Sequence, residues 1–212
     1  MNAKCILFDC DGTLVDSENI TNRVIAKMAG ELGINMTLQD AQSRFGGKTL
    51  DAVIYSMKEL SGEDIPSDWL PRLVEKVSRA YETELKPMEG VKELLDNIEI
   101  PMCVASNGKP NHVKSSLVLT GLIDYFNEQI FTASEVERPK PAPDLFLYAA
   151  KKMGFKPNDC IVIEDSIPGV TAAIKADIKV YGLVKLCTTE QLMNAGAIPF
   201  KNMHELSKLL GI

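Results

Sequence analysis

The residues from Lys86 onward alternate between helix-forming segments and short apolar segments, and this alternation restricts the possible folds more than any other feature. The apolar segments are residues 101–105, 129–132, 160–163 and 179–183, and a segment with helical periodicity precedes each of them. Short strands that are apolar on both faces are typical of parallel sheets that helices cover on both sides. The pattern therefore predicts an α/β fold.

The segment Cys5 to Phe8 is a further short apolar segment, but a long helical stretch separates it from the others. Apolar residues recur at three- and four-residue spacing through this stretch, as expected for amphipathic helices. We therefore predict a Rossmann-like parallel sheet core with helices on both faces, formed by residues 1–16 and 84–212. Residues 17–83 are predicted to form an all-helical cap domain that is inserted after the first strand.

The composition argues against several classes of partner. A formal net charge of -6 and a pI near 5.1 do not suit nucleic acid, because phosphate backbones are bound by basic surfaces. No apolar run reaches the roughly 18 residues of a membrane span, and the amino terminus has no signal-like segment. The five cysteines lie mostly in apolar segments, which favours reduced thiols. We expect a cytoplasmic protein that is a monomer or a weak homo-oligomer.

Polar residues follow four of the apolar segments: three sets come directly after a segment, and Lys140 lies between the segment that ends at Thr132 and the next predicted helix. Because the carboxyl ends of parallel strands meet at one edge of a sheet, where ligands bind, we expect these residues to share a site. In chain order, the four sets are Asp9 with Asp11, Ser106 with Asn107, Lys140, and Glu164 with Asp165.

Asp9 and Asp11 would lie on the same side of the first strand, since side chains alternate along a strand. Two carboxylates about 4 Å apart repel by roughly 4 kcal/mol at an effective dielectric constant near 20. A fold keeps such a pair only if a cation, a proton or a function offsets the repulsion. Alone, the pair could be an ordinary Asp-Gly turn, but the three other polar sets favour a functional site.

The carboxylates in these sets would form a site made entirely of oxygen ligands. Such a site suits Mg²⁺ rather than zinc, especially where a phosphate completes the coordination. The Lys140 ammonium, with Ser106 and Asn107, could hold the remaining phosphate oxygens, which predicts phosphoryl-transfer chemistry. The predicted metal ligands are the carboxylates of Asp9, Glu164 and Asp165 and the backbone carbonyl of Asp11.

The four sets resemble, in residue type and in order, the four motifs of the haloacid dehalogenase (HAD) superfamily. The helical insertion resembles the cap of the phosphatase and phosphoglucomutase-like branch of that superfamily, and residues 101–108 resemble its bacterial sugar-phosphate phosphatases. The resemblance implies that Asp9 is the nucleophile that forms an aspartyl-phosphate, and that Asp11 is the general acid and then the general base. Glu164 would either bind the metal directly or orient the ligands.

The resemblance further implies catalytic and phosphate-stabilising roles for Lys140 and a phosphate-binding role for Ser106 and Asn107. His112 follows the second motif, and we interpret it as a histidine on a helix surface rather than a substrate contact. These roles predict a Mg²⁺-dependent phosphomonoester hydrolase whose substrate is a small phosphorylated metabolite such as a sugar phosphate.

Two other functions stay open, namely a β-phosphoglucomutase-like mutase and a non-enzymatic protein that binds a phosphate ligand. Mutases of this branch hold a second phosphate with cationic cap residues, where this chain has Phe45 and Thr49. Lys48 is displaced by one residue from those positions, and Phe45 could instead belong to the core of the cap. We therefore favour hydrolysis and predict Gly47 and Lys48 as substrate contacts.

Overall fold

The structure is a computed structural model that describes residues 3–46, 48 and 50–212. The chain divides into two compact units: the first comprises the segment up to Val15 together with Lys86–Ile212, and the second is Asp16–Leu85. The predicted cap, residues 17–83, lies inside the second unit, and its function as a cap stays a prediction.

The described residues form a parallel sheet in the order β3-β2-β1-β4-β5-β6, and all of its strands belong to the first unit. The central strand β1 is therefore flanked by β2 on one side and by β4 on the other. At such a point in a parallel sheet a crevice opens beyond the carboxyl ends of the strands. The strands are β1 (Cys5–Phe8), β2 (Met102–Ser106), β3 (Ile130–Thr132), β4 (Cys160–Glu164), β5 (Lys179–Leu183) and β6 (Ile198–Phe200).

Helices connect these strands and form the second unit. Those of the second unit are α1 (Ser17–Ala29), α2 (Leu38–Phe45), α3 (Leu50–Ser61) and α4 (Trp69–Glu84). Those of the first unit are α5 (Val91–Asp96), α6 (Pro110–Leu119), α7 (Ile123–Phe126), α8 (Asp144–Met153), α9 (Ile167–Lys175), α10 (Thr189–Asn194) and α11 (Met203–Leu210).

Both faces of the sheet are covered, which confirms the predicted fold class. Cys5 and Leu7 point to one face, where they belong to a buried apolar cluster with residues of α8 and α9. Phe8 points to the other face because side chains alternate along the strand, and its ring packs edge-to-face on Phe126 of α7 at 6.1 Å. The fully buried β1 thus explains why the first apolar segment shows no polar alternation.

The sequence analysis did not predict β6. This strand has only three residues and contains Pro199, whose missing N–H is tolerated at the edge of a sheet. Its partner β5 matches the predicted segment 179–183. Short proline-containing edge strands carry too little periodicity to be distinguished from loops.

The chain leaves and re-enters the first unit at adjacent points. Val15 forms an antiparallel bridge with Pro87. The backbone N–H of Met88 donates to the carbonyl of Leu14 at 2.9 Å. The two connections to the second unit therefore start from neighbouring backbone segments.

The second unit has its own apolar core. Trp69 is fully buried there, and its indole N–H donates to the backbone carbonyl of Met28 at 3.3 Å. Phe45 belongs to the same core. This confirms the interpretation of Phe45 as a core residue of the inserted helices. No helix within the described residues has the length and apolar content to cross a bilayer.

Candidate active site

The loop after β1 places two carboxyl groups at the carboxyl edge of the sheet. Asp9 is buried, and its backbone N–H donates to the carbonyl of Ile163 in the neighbouring strand β4 at 2.9 Å. The chain then turns sharply, since the N–H of Gly12 donates to the carbonyl of Val15 at 2.9 Å. The side chain of Asp11 is partly exposed after this turn.

Lys140 connects two of the other polar sets, because it contacts both Asp9 and Glu164. Its Nζ atom donates to Asp9 Oδ1 at 2.6 Å and to Glu164 Oε1 at 2.8 Å, and it lies 4.6 Å from the centre of the Phe146 ring. The side chain of Asn107 makes two hydrogen bonds with the Lys140 backbone. Its Nδ2 donates to the Lys140 carbonyl at 3.1 Å, and its Oδ1 accepts from the Lys140 N–H at 3.0 Å. Asn107 therefore fixes the loop that carries Lys140.

Burial and charge determine the ionisation of this cluster. Burial raises the pKa of Asp9 to about 7, against the opposing influence of the Lys140 ammonium, and the nearby charge of Glu164 raises it further. Burial alone would lower the pKa of Lys140, but the carboxylates of Asp9 and Glu164 raise it above its usual value. Lys140 is therefore a permanent buried cation between two acids.

Glu164 uses both of its oxygens within the protein. Oε1 accepts from Lys140, and Oε2 accepts from the backbone N–H groups of Asp165 and Ser166 and from the Ser166 hydroxyl, each at 2.9 Å. Ser166 also caps α9, because its hydroxyl accepts from the Gly169 N–H at 3.1 Å. Glu164 thus contacts Lys140, and its two predicted roles, direct metal binding and orientation of the ligands, both stay predictions.

The acids form a buried cluster that could hold a divalent cation. Asp9, Glu164 and Asp165 each offer an oxygen atom, and these atoms lie within 4.8 Å of one another. When Asp9, Glu164 and Asp165 are all ionised, they carry two negative charges more than Lys140 neutralises, and a dication would offset this excess. Oxygen donors of this kind fit a hard cation such as Mg²⁺. A Cβ atom at Gly12 would lie 2.1 Å from Asp165 Oδ2, so only glycine leaves space for this acid.

Replacement of Gly169 by alanine is expected to destabilise the protein by displacing Glu164 from the acidic cluster. A Cβ atom at position 169 would lie 1.6 Å from Glu164 Oε1, so Gly169→Ala must displace the Glu164 side chain and release Lys140 from it. We expect a loss of about 1–3 kcal/mol in the free energy of unfolding, measured by urea denaturation. Gly30→Ala is the control because nothing lies within 4 Å of the added Cβ atom, and its stability should be unchanged or slightly higher. Equal stability of both variants would contradict the proposed packing.

His112 is a site residue that the sequence analysis did not assign. It lies on the surface of α6 with 37% of its side chain exposed, as predicted, but its Nε2 atom is also 3.4 Å from Asp11 Oδ1 and 3.3 Å from Asp11 Oδ2. The hydrogen bond with Asp11 raises the pKa of His112. A signal was available, because α6 begins directly after β2 and its first turn therefore lies at the same sheet edge as the loop after β1.

The first unit contains every predicted residue of the four motifs. Ser106, at the end of β2, is buried, and its Oγ accepts from the Gly108 N–H at 3.0 Å. The predicted cap contact Lys48 is exposed in the second unit, whereas Gly47 and Thr49 lie outside the described residues.

Comparison with known proteins agrees with this geometry. Residues 6–183 match the family of haloacid dehalogenase-like hydrolases. The 6-phosphogluconate phosphatase of Escherichia coli (strain K12) is 31% identical over 207 residues, which are 97% of this chain and 94% of that protein. A fructose-1-phosphate phosphatase of the same organism is 30% identical over 173 residues, covering 79% of this chain and 89% of the relative.

A solved structure shows the same architecture. The crystal structure of a HAD family hydrolase from Deinococcus radiodurans R1, with bound phosphate and sodium, has a TM-score of 0.86 and 29% identity, and the match covers 99% of this chain and 96% of that one. These matches confirm the resemblance that the four motifs indicated. The chain belongs to the family of haloacid dehalogenase-like hydrolases.

Proposed function

We propose that this hydrolase is a Mg²⁺-dependent phosphomonoester hydrolase acting on small phosphorylated metabolites, in particular sugar phosphates. The observation that carries the proposal is the buried ammonium of Lys140 between Asp9 and Glu164. A fixed cation beside a carboxylate nucleophile is suited to a phosphoryl group, whose transferring charge is spread over its oxygens. The relatives named as phosphatases of 6-phosphogluconate and fructose 1-phosphate support a sugar phosphate as substrate.

In the first half-reaction, a carboxylate oxygen of Asp9 forms a bond to phosphorus while the ester bond between phosphorus and the alcohol oxygen breaks. Asp11 enters this step protonated and gives its proton to the departing alcohol oxygen. The product alcohol leaves, and the phosphoryl group stays on Asp9 as an aspartyl-phosphate.

In the second half-reaction, a water molecule attacks the phosphorus of the aspartyl-phosphate. Asp11, now ionised, accepts a proton from this water, and the bond between Asp9 and phosphorus breaks. Inorganic phosphate is released, and Asp9 and Asp11 return to their starting states. For two displacements at one phosphorus atom, the protein thus supplies one nucleophile, Asp9, and one acid–base group, Asp11.

The other residues hold the phosphoryl group and the cation. We assign the phosphoryl oxygens to the Lys140 ammonium and to the Ser106 hydroxyl, while Asn107 acts by fixing the Lys140 loop. The carboxylates of Asp9 and Asp165 and the backbone carbonyl of Asp11 would hold Mg²⁺, and Glu164 would either bind it directly or orient its ligands. When bound, Mg²⁺ would neutralise charge between the nucleophile and the phosphate, as an oxygen-bound dication does.

The second unit is assigned the role of a cap that determines substrate choice. Its exposed Lys48 suits a polar or anionic group on the substrate, and contact of Gly47 with the substrate stays a prediction. Phe45 is buried in the core of the unit and offers no charge for a second phosphate, which favours hydrolysis over the mutase reaction. The cytoplasmic location and the state as a monomer or weak homo-oligomer stay predictions.

The test is release of inorganic phosphate from p-nitrophenyl phosphate and from a panel of sugar phosphates that includes 6-phosphogluconate and fructose 1-phosphate. We expect turnover with Mg²⁺, its loss in excess EDTA and its recovery when Mg²⁺ is restored. The absence of phosphate release from every ester would contradict the proposal. Conversion of β-glucose 1-phosphate to glucose 6-phosphate without free phosphate would identify a mutase, and saturable binding without turnover a phosphate-binding protein.

A further inference from the structure

Asp11 has to present one carboxyl oxygen to two different partners, first the leaving alcohol and then the attacking water. Unlike Asp9, its side chain is 29% exposed. Burial therefore does less to fix this carboxyl group than it does for Asp9, and a carboxyl group that turns away from the reacting atoms cannot transfer a proton to them. Proton transfer in the active site needs a heavy-atom distance of about 2.6–3.2 Å, so the orientation of Asp11 matters.

His112 lies where it can restrict rotation of the Asp11 carboxyl group. Its Nε2 atom is within 3.4 Å of both carboxyl oxygens of Asp11, and its own side chain is 37% exposed. The residue stands in the first turn of α6, which follows directly on the Ser106 loop. A helix is a more rigid support than a loop, so it fixes the position of the imidazole ring beside Asp11.

We propose that His112 is a positioning residue that holds the Asp11 carboxyl group in the orientation required for proton transfer. The inference rests on the proposed function, since it gives His112 a role only in a reaction that uses Asp11 as acid and base. In this role the imidazole contacts Asp11 and need not contact the phosphoryl group, which Lys140 and Ser106 hold.

The role has a kinetic signature that a general structural role lacks. The ratio kcat/KM reports the steps up to departure of the alcohol. An alkyl phosphate has a strongly basic leaving oxygen that requires a proton from Asp11, whereas 2,4-dinitrophenyl phosphate has a weakly basic one that does not. Loss of Asp11 positioning should therefore lower kcat/KM for the alkyl ester and leave the dinitrophenyl ester almost unchanged.

The experiment compares His112→Ala and His112→Gln with wild type on both esters in the presence of Mg²⁺. We expect His112→Ala to lower kcat/KM for the alkyl ester by about tenfold and for the dinitrophenyl ester by less than about twofold. The tenfold loss is smaller than the roughly 10²–10⁴-fold that acid–base catalysis contributes, because Asp11 itself is still present. The amide of glutamine places an N–H donor near the position of Nε2, so His112→Gln should recover most of the activity. His204→Ala is the matched control, because His204 is the other histidine of the chain and lies in α11.

Three results would overturn the inference. An equal loss for both esters would indicate a general structural defect, and unchanged kinetics for both would show that Asp11 needs no partner at this position. A rise in KM for the alkyl ester at constant kcat would make His112 a substrate contact instead. Failure of the proposed function is distinguishable, since wild type would then release no phosphate from either ester, and this role of His112 would fall with it.

Discussion

Asp9→Asn is expected to lower the rate of phosphate release by about 10⁴-fold or more, the largest effect of any single substitution in this chain. An amide keeps the shape of the carboxyl group but is a very poor nucleophile, so the aspartyl-phosphate cannot form. Lys140 would keep one of its two acidic partners, Glu164, and the fold should persist. The measurement is kcat with Mg²⁺ on the best ester of the panel, with mass spectrometry to detect phosphate bound to the wild-type protein.

Asp159→Asn is the control for this variant. Asp159 precedes β4 at the end opposite to Glu164, and its carboxylate pairs with Lys4 on the surface at 2.9 Å. Its substitution removes a carboxylate of the same type from the same unit and should leave kcat unchanged. Retention of near-normal activity by Asp9→Asn would show that another group receives the phosphoryl group, or that water attacks the ester directly.

Lys140→Met is expected to reduce both activity and stability. Without the ammonium the transferring phosphoryl group loses a fixed charge, and we expect kcat/KM to fall by about 10²–10³-fold. In the protein without added metal, Asp9 and Glu164 would lose their buried cation, which should cost about 3 kcal/mol in the free energy of unfolding. Urea denaturation in EDTA measures the second effect.

A double variant separates the two consequences. Adding Glu164→Gln to Lys140→Met removes one of the uncompensated charges, so stability should recover in part while activity stays low. Lys4→Met is the control for loss of a lysine, since its ion pair with Asp159 is exposed and should contribute little. If the double variant were no more stable than Lys140→Met, the pair formed by Lys140 and Glu164 would not be the source of the stability.

The sequence analysis predicted the sheet and the residues of its carboxyl edge for a physical reason. Segments such as Cys5–Phe8 are buried on both faces, so nearly all of their residues are apolar and the strand can be identified from the sequence. Polar residues at the ends of such segments are conspicuous because nothing else in the segment is polar. Asp9 and Asp165 could therefore be assigned to one edge before any distance was known.

The remaining details depend on side-chain geometry that spacing does not contain. Lys140 reaches Asp9 across 131 positions of sequence, and the loop that carries it is fixed by the Asn107 amide rather than by a helix or a strand. The contact between His112 and Asp11 likewise depends on where the first turn of α6 begins. A pattern of residue types predicts which edge a residue approaches, but not which atom it contacts.

The bridge between Val15 and Pro87 has a consequence for how relatives of this protein can diverge. Because the backbone is hydrogen-bonded where the inserted helices begin and end, those helices can be lengthened, replaced or shortened without separating the loop that carries Asp9 from its neighbouring strands. Selectivity can then evolve on an exchangeable module while the phosphate chemistry is inherited intact. The same reaction centre can in this way be combined with different substrate-selecting segments.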